Sequence, residues 1–411
     1  MTNQMEENQR QRRASPRMKS WLLIGLILIV ILGGVGVLYP LVTRWKSTAT
    51  TSSLQAAASM NATMFGFNPQ HTRFNPDEKR LSPSTVSRLV PDWTVTTGDV
   101  IGSSPVVANG VVYVGSADAK LYAISASTGK RLWATSTGSA ILSSPAVSNG
   151  IVYVGSGDSA LYAFNASTGE ILWVASTGNV VESSPTVANG VVYVGSYDHK
   201  LYAFNAITGK KLWDVSTGNA IYSSPAVSNG VVYVGSDDSK LYAFNAATGK
   251  VLWSVSAYLA IYSSPAVANG VVYVGSADYM LYAFNAATGK RLWTASTGNA
   301  IYSSPAVVNG VVYVGSGDYK LYAFSTSTGK LLWTASTANH ISASPTVANN
   351  VVYVGSQDHK LYAFDASTGK LLWTVLTGNT IESSPVVANG VVYVGSDDNH
   401  LYAFHMPGTK P

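Results

Sequence analysis

The sequence predicts an all-β fold, an eight-bladed β-propeller of four-stranded antiparallel blades, preceded by one transmembrane helix. Two periodicities and one change of composition predict it. Pro105 recurs every 40 residues, as Pro145, Pro185, Pro225, Pro265, Pro305, Pro345 and Pro385. Trp93 recurs at the same interval, as Trp133, Trp173, Trp213, Trp253, Trp293, Trp333 and Trp373. A fixed period near 40 marks a solenoid, a propeller or an array. Ahead of the array, the stretch from Ser20 to Thr43 carries no charge.

Taken in order, residues 1–19 form a basic tail in which Arg10, Arg12, Arg13, Arg17 and Lys19 outnumber Glu6 and Glu7. Residues 20–43 are long enough to cross a hydrocarbon core of about 30 Å as a helix. A cleaved signal peptide would have a shorter apolar core, with a small-x-small site directly after it. More basic residues precede the span than follow it at Arg44 and Lys46, which places the tail in the cytoplasm and the propeller outside, at the cell surface or in a periplasm. Residues 44–60 are small and polar without periodicity, as in a flexible linker. A lead-in segment follows over 61–90, then the propeller over 91–404 and a short tail over 405–411.

One unit, Ser263 to Ala300, defines the blade. Its runs Ser263–Val267, Val271–Gly275, Leu281–Asn285 and Arg291–Ser296 are strand-like, and Asn269-Gly270 between the first two is a strong two-residue hairpin signal. Short connections make neighbouring strands antiparallel, and no helical pattern follows residue 43, so the unit reads as a propeller blade. The first three strands occur eight times, but the fourth follows only seven of them. The missing one stands at the front as Pro91-Asp92-Trp93-Thr94-Val95-Thr96 and is expected to pair with Leu401–Phe404, latching the last blade to the first.

The formal charge of +5 belongs to the N-terminal region, because beyond Lys46 acidic and basic residues balance; the footprint of a nucleic-acid binder is missing. The absence of cysteine excludes disulfides, thiolate metal sites, covalent haem and a lipoprotein anchor.

The spacing Ala-x(5)-Gly-x(3)-Trp, first at Ala123, Gly129 and Trp133 and last at Ala363, Gly369 and Trp373, resembles the tryptophan-docking motif of the pyrroloquinoline-quinone-like (PQQ-like) propeller repeat family. That resemblance implies that each indole is structural, wedged between blades against small residues. His71-Thr72-Arg73-Phe74-Asn75 and the stretch Leu81–Trp93 are similar to the lead-in of quinoprotein alcohol and polyvinyl-alcohol dehydrogenases. The repeat also resembles that of the outer-membrane assembly propeller lipoprotein, which binds partners without catalysis. The resemblance therefore implies two functions: a non-catalytic extracytoplasmic binding or scaffold module, or a quinone-dependent dehydrogenase. The first is favoured, because many such dehydrogenases use a vicinal cysteine pair and blade-specific insertions, and this chain has neither. PQQ and Ca²⁺ are expected only under the second reading, and no catalytic or metal residue is assigned.

Asp118 and its seven equivalents through Asp398 recur at the second-to-third strand turn; each stands alone there and reads as a turn cap rather than a Ca²⁺ ligand. His199, His340, His359 and His400 are too scattered to suggest a metal site. The blades differ mainly in the second-to-third turns, and in inter-blade loops such as Ala257-Tyr258-Leu259 and Ala338-Asn339-His340. In a meander blade those two loop sets share one face, and loops on a rigid scaffold carry function. A further divergent residue precedes each Ser-Ser-Pro or its variant Ala-Ser-Pro: Gly102, Leu142, Glu182, Tyr222, Tyr262, Tyr302, Ser342 and Glu382. The candidate binding face for a protein, peptide or glycan is accordingly Glu182, Tyr197, His199, Tyr222, Tyr258, Tyr262, Tyr279, Tyr302 and Glu382.

Overall fold

The computed structural model describes residues 61–408, so the predicted tail, span and linker over 1–60 lie outside the described residues. Among the described residues, no helix is long and apolar enough to cross a membrane.

Eight four-stranded units stand around one axis. In the first blade the strands run Val106–Ala108, Val111–Gly115, Lys120–Ser125 and Arg131–Ser136, each antiparallel to the next. First strands of neighbouring blades touch, which makes the first strand innermost. The hairpin between first and second strands turns as the sequence predicts: Asn109 and Gly110 have φ of 51° and 76°, the positive pair of a type I′ turn. Asn349-Asn350 keeps the same geometry with φ of 44° and 63°. The first strand is shorter than expected. In the fifth blade only Ala266–Ala268 is strand, and Ser263, Ser264 and Pro265 precede it outside the ladder.

Those serines have their own role. The Ser104 amide donates to Ser144 Oγ at 3.0 Å, and the pattern passes blade by blade until the Ser384 amide donates to Ser104 Oγ at 3.0 Å. A closed circle of buried hydrogen bonds therefore encircles the axis and satisfies amides that no ladder reaches.

Val90–Thr96 supplies the fourth strand of the last blade and pairs antiparallel with His400–His405. Trp93 then docks on the first blade, its Nε1–H donating to the Ala126 carbonyl at 2.9 Å. A Cβ built on Gly129 would lie 2.7 Å from that indole, so glycine there is required by close approach as well as by its φ of 67°. At the next interface Tyr113 and Trp133 both donate to the Ala166 carbonyl at 3.0 Å, with rings 5.8 Å apart. Seven of the eight tryptophans thus wedge against the glycine of the following blade rather than the one in their own motif, while Trp373 packs edge-on against Phe404.

The lead-in has a role that its sequence does not announce. Residues 62–75 run across the axial end of the disc and hydrogen-bond to the innermost strands. The carbonyls of Ala62, Thr63, Pro69, Gln70, Thr72 and Arg73 accept from Val107, Val147, Val227, Val267, Val307 and Val347, at 2.6–2.9 Å. His71 reaches Thr186 Oγ1 at 2.9 Å, and Asn75 donates to the Val387 carbonyl at 2.8 Å. This strap therefore touches all eight blades and pairs amides that an unfilled axis would leave open. His71 and Arg73 are buried at 1% and 2% exposure, with the Arg73 guanidinium 3.9 Å above the Phe65 ring. Burial pushes His71 down to about 3, assisted by the Arg73 charge, and holds Arg73 at about 9.

Candidate binding face

The disc has two unlike faces. On one, the first-to-second turn meets the third-to-fourth turn, as where the Ala126 amide donates to the Gly110 carbonyl. These turns are nearly uniform around the ring, and the strap lies on this side. On the other, inter-blade loops meet second-to-third turns: the Thr97 amide donates to the Asn399 carbonyl, and the Ala117 amide to Val100. The variable loops do share one face.

The recurrent aspartates hold that face together. Asp278 Oδ1 accepts from the Met280 amide at 3.0 Å, capping its own turn. Its Oδ2 accepts from the Tyr258 amide at 2.9 Å and the Tyr282 hydroxyl at 2.7 Å, tying the turn to the preceding inter-blade loop. The staple repeats at Asp118 through Asp398, so these carboxylates are engaged in structure.

At the centre of the variable face, the residue before each Ser-Ser-Pro, or before Ala343-Ser344-Pro345 in the seventh blade, stands just ahead of the innermost strand. Here the structure brings together four of the predicted aromatics. Tyr197 and Tyr222 have ring centroids 4.3 Å apart, Tyr222 and Tyr262 5.3 Å, and Tyr262 and Tyr302 5.8 Å. The four rings form one continuous arc across blades three to six, and Tyr302 is half exposed at its end.

Carboxylates hold and flank the arc. The Tyr197 hydroxyl donates to Glu182, and the Tyr262 hydroxyl donates to Asp237 Oδ1 at 2.9 Å. Burial and that carboxylate push Tyr262 up to about 12. Across the ring, Gln357 Nε2 donates to Glu382 Oε1 at 3.4 Å. Beside it, burial and the charges of Glu382 and Asp398 raise Asp397 to about 6. Asp237, Gln357 and Asp397 escaped the sequence-based candidates. They are the first residues of their second-to-third turns, and the signal that finds them is the spacing of 15 or 25 residues to a divergent position just ahead of an innermost strand.

The other candidates lie on this face but outside the arc. Tyr258 is 82% exposed on its inter-blade loop. His199 and Tyr279 occupy the positive-φ corner of their turns, at φ of 67° and 71°. His340 meets Tyr319 edge-on at 4.9 Å, apart from His199 and His400. Among the described residues, no three acids or histidines gather as a metal site.

Comparison with known proteins places the repeat. A family model described as outer membrane protein assembly factor BamB matches residues 328–408, and one described as the β-propeller of beta-alanine-activating enzyme matches residues 147–349. The repeats are of the PQQ-like propeller type. Among curated proteins, the quinoprotein ethanol dehydrogenase of Pseudomonas aeruginosa is 28% identical over 111 residues, which are 26% of this PQQ-like chain and 17% of that protein. The chain therefore matches less than a fifth of that relative's length. Among solved structures, a europium-containing methanol dehydrogenase superposes with a TM-score of 0.74 at 14% identity, over 84% of this chain and 98% of that one. BamB from Moraxella catarrhalis superposes with a TM-score of 0.69 at 17% identity, over 77% and 99%. The quinohemoprotein alcohol dehydrogenase of Comamonas testosteroni gives 0.74 at 16%, over 87% and 82%. At these identities the likenesses show the fold of a PQQ-like propeller, which dehydrogenases and an assembly factor share.

Proposed function

We propose that this PQQ-like propeller is a membrane-anchored, extracytoplasmic binding module without catalytic activity, which takes a protein, peptide or glycan on its variable face. The observation that carries this reading is the arc Tyr197–Tyr222–Tyr262–Tyr302 at the mouth of the axis. Near-identical blades offer a partner no unique address, so recognition uses positions where the blades differ. Aromatic rings there supply large contact area at low rotamer-entropy cost.

The competing reading, supported by the match to an ethanol dehydrogenase, is a quinone-dependent oxidoreductase. Its cofactor is a tricarboxylic quinone, which needs cationic partners. The sixteen positions at the mouth, one before each Ser-Ser-Pro or Ala-Ser-Pro and one opening each second-to-third turn, include Glu182, Asp237, Glu382 and Asp397 and no lysine or arginine. The residues at the mouth do not fit that cofactor.

Reconstitution of the purified full chain with PQQ and Ca²⁺ separates the two readings. No cofactor absorbance and no alcohol-dependent dye reduction are expected. Clear turnover overturns the binding-module reading.

A further inference from the structure

The charges of the propeller are sorted between its two faces. The variable face carries the turn aspartates with Glu182, Asp237, Glu382 and Asp397, against Lys120, Lys200, Lys240, Lys320 and Lys360. On the uniform face the third-to-fourth turn ends in lysine in six blades, at Lys130, Lys210, Lys250, Lys290, Lys330 and Lys370, and in Glu170 in the other. Arg131, Lys211 and Arg291 follow directly in three of them. Lys211 is paired with Asp214 at 2.7 Å, but the six turn lysines are exposed and form no ion pair among the described residues. The few carboxylates here are Glu170, Asp77, Asp92, Asp365, which its own Ser367 and Thr368 hold, and Glu78, which accepts from the Gly390 amide.

Beside these lysines stands an apolar belt. In each blade the ladder between third and fourth strands slips by one residue, as where Ala123 pairs with Trp133 but Ile124 pairs with Arg131. The residue left over is Leu132 in the first blade and Leu172, Leu212, Leu252, Leu292 and Leu332 in the next five; in the seventh it is the partly buried Leu372 and in the eighth Asp92. A β-bulge on an edge strand twists that edge away from pairing. In the first six blades it also turns a leucine outward beside the lysine corner, and these six side chains are 44–52% exposed. The chain joins the disc on this same face: Asn61 Oδ1 accepts from the amide of Asn109 in the first hairpin turn, at 2.9 Å.

We infer that the uniform face is a docking surface for an anionic lipid bilayer, so that the propeller lies flat on the membrane with its variable face outward. A ring of lysines with leucines beside them meets such a surface as an interfacial amphipathic helix does. The leucines enter the headgroup boundary, while the lysine stems lie along it and their ammonium groups pair with lipid phosphates. The acidic face is repelled by the same surface, which fixes which side is up. The described residues begin at Asn61, on the basic side, and the proposed anchor precedes that residue in the chain. This inference borrows from the proposed function only the existence of the anchor.

The absence of cysteine makes the test clean, since one introduced cysteine carries the only label. The full chain is labelled with a polarity-sensitive dye at Leu292→Cys or at Tyr279→Cys. It is then reconstituted into phosphatidylcholine vesicles, with or without about 30% phosphatidylglycerol. The label at 292 is expected to shift to a less polar environment only with phosphatidylglycerol, and to revert at roughly 0.5 M salt. The label at 279 is expected to stay in water throughout. The triple variant Lys250→Glu, Lys290→Glu and Lys330→Glu is expected to weaken docking on the order of a hundredfold, abolishing the shift at 292. Co-flotation reports the anchor separately. A chain that floats with both vesicles while its 292 label never shifts contradicts docking but keeps the anchor. A chain that floats only with phosphatidylglycerol supports docking and removes the anchor. A 292 shift that grows with protein concentration in lipid-free detergent overturns the inference and assigns the face to a second copy.

Discussion

Deleting residues 91–97 is expected to give an aggregated or poorly folded product. The deletion removes the fourth strand of the last blade, opening the edge of His400–His405, and takes Trp93 from its wedge against Gly129. It also leaves the Ala126 carbonyl without the indole N–H that it accepts. An exposed third strand with the apolar run Leu401–Phe404 is a template for intermolecular pairing. The serine circle and the strap still link the last blade to the first, so the effect isolates the latch. If the deletion product is too insoluble to measure, Trp93→Ala serves. Loss of a large aromatic side chain costs about 3–5 kcal/mol, which in a domain of this size lowers the melting temperature by roughly 5 °C. A deletion product that stays monomeric and melts with the intact chain contradicts closure by the latch.

The second large effect is expected on acidification, through His71. Its folded-state value near 3 lies below the ordinary value of 6.5, because burial and the Arg73 charge disfavour the imidazolium. Between those two values the unfolded chain binds a proton that the folded chain does not. Stability is therefore fully present above pH 6.5 and falls as the pH drops toward 3, by about 1.4 kcal/mol per unit. Asp397 works with the opposite sign: its folded value near 6 exceeds that of an unfolded aspartate, so its protonation favours the folded state as pH falls below about 6. The comparison that isolates His71 is with His71→Asn, since asparagine accepts the φ of 55° at this position and does not titrate. Denaturant unfolding at pH 7 and pH 4.5 is expected to show a steeper loss in the parent chain than in the variant. Equal slopes would mean that the strap opens and hydrates His71 before the blades unfold.

The blades were legible in the sequence because their determinants recur. Asn269-Gly270 predicts its turn, the 40-residue spacing predicts the ring, and the missing eighth tryptophan strand is found at Trp93. One buried feature recurs as plainly yet carries a less specific signal. The second serine of Ser-Ser-Pro forms the closed hydrogen-bond circle, but a serine next to a proline is also an ordinary turn residue. The strap was illegible for a physical reason: it bonds to the blades mainly through backbone carbonyls, which every residue has, and its 62–75 stretch does not repeat. His71 and Arg73 were its only marks, as polar residues whose burial no pattern predicts. At the candidate face the divergent tyrosines were visible. Which of them touch was not, because the arc takes Tyr197 from a turn and Tyr222, Tyr262 and Tyr302 from the segments that lead into the innermost strands, and leaves Tyr258 and Tyr279 outside.

Recognition on the variable face is tested most directly by replacing Tyr222, Tyr262 and Tyr302 together with Ala and measuring the affinity of a partner recovered by cross-linking to the unmodified chain. The measurement is made in detergent, where lipid docking plays no part, and beside it stands a change of the Asn229-Gly230 turn on the uniform face. Clustered interface aromatics carry a disproportionate share of binding energy, so the triple variant is expected to lose affinity on the order of a hundredfold while keeping its melting temperature within a few degrees. The turn variant is expected to lose stability and keep its affinity. Full binding by the tyrosine variant, together with its loss when a surface charge on the uniform face is changed, would place recognition on the opposite side of the disc.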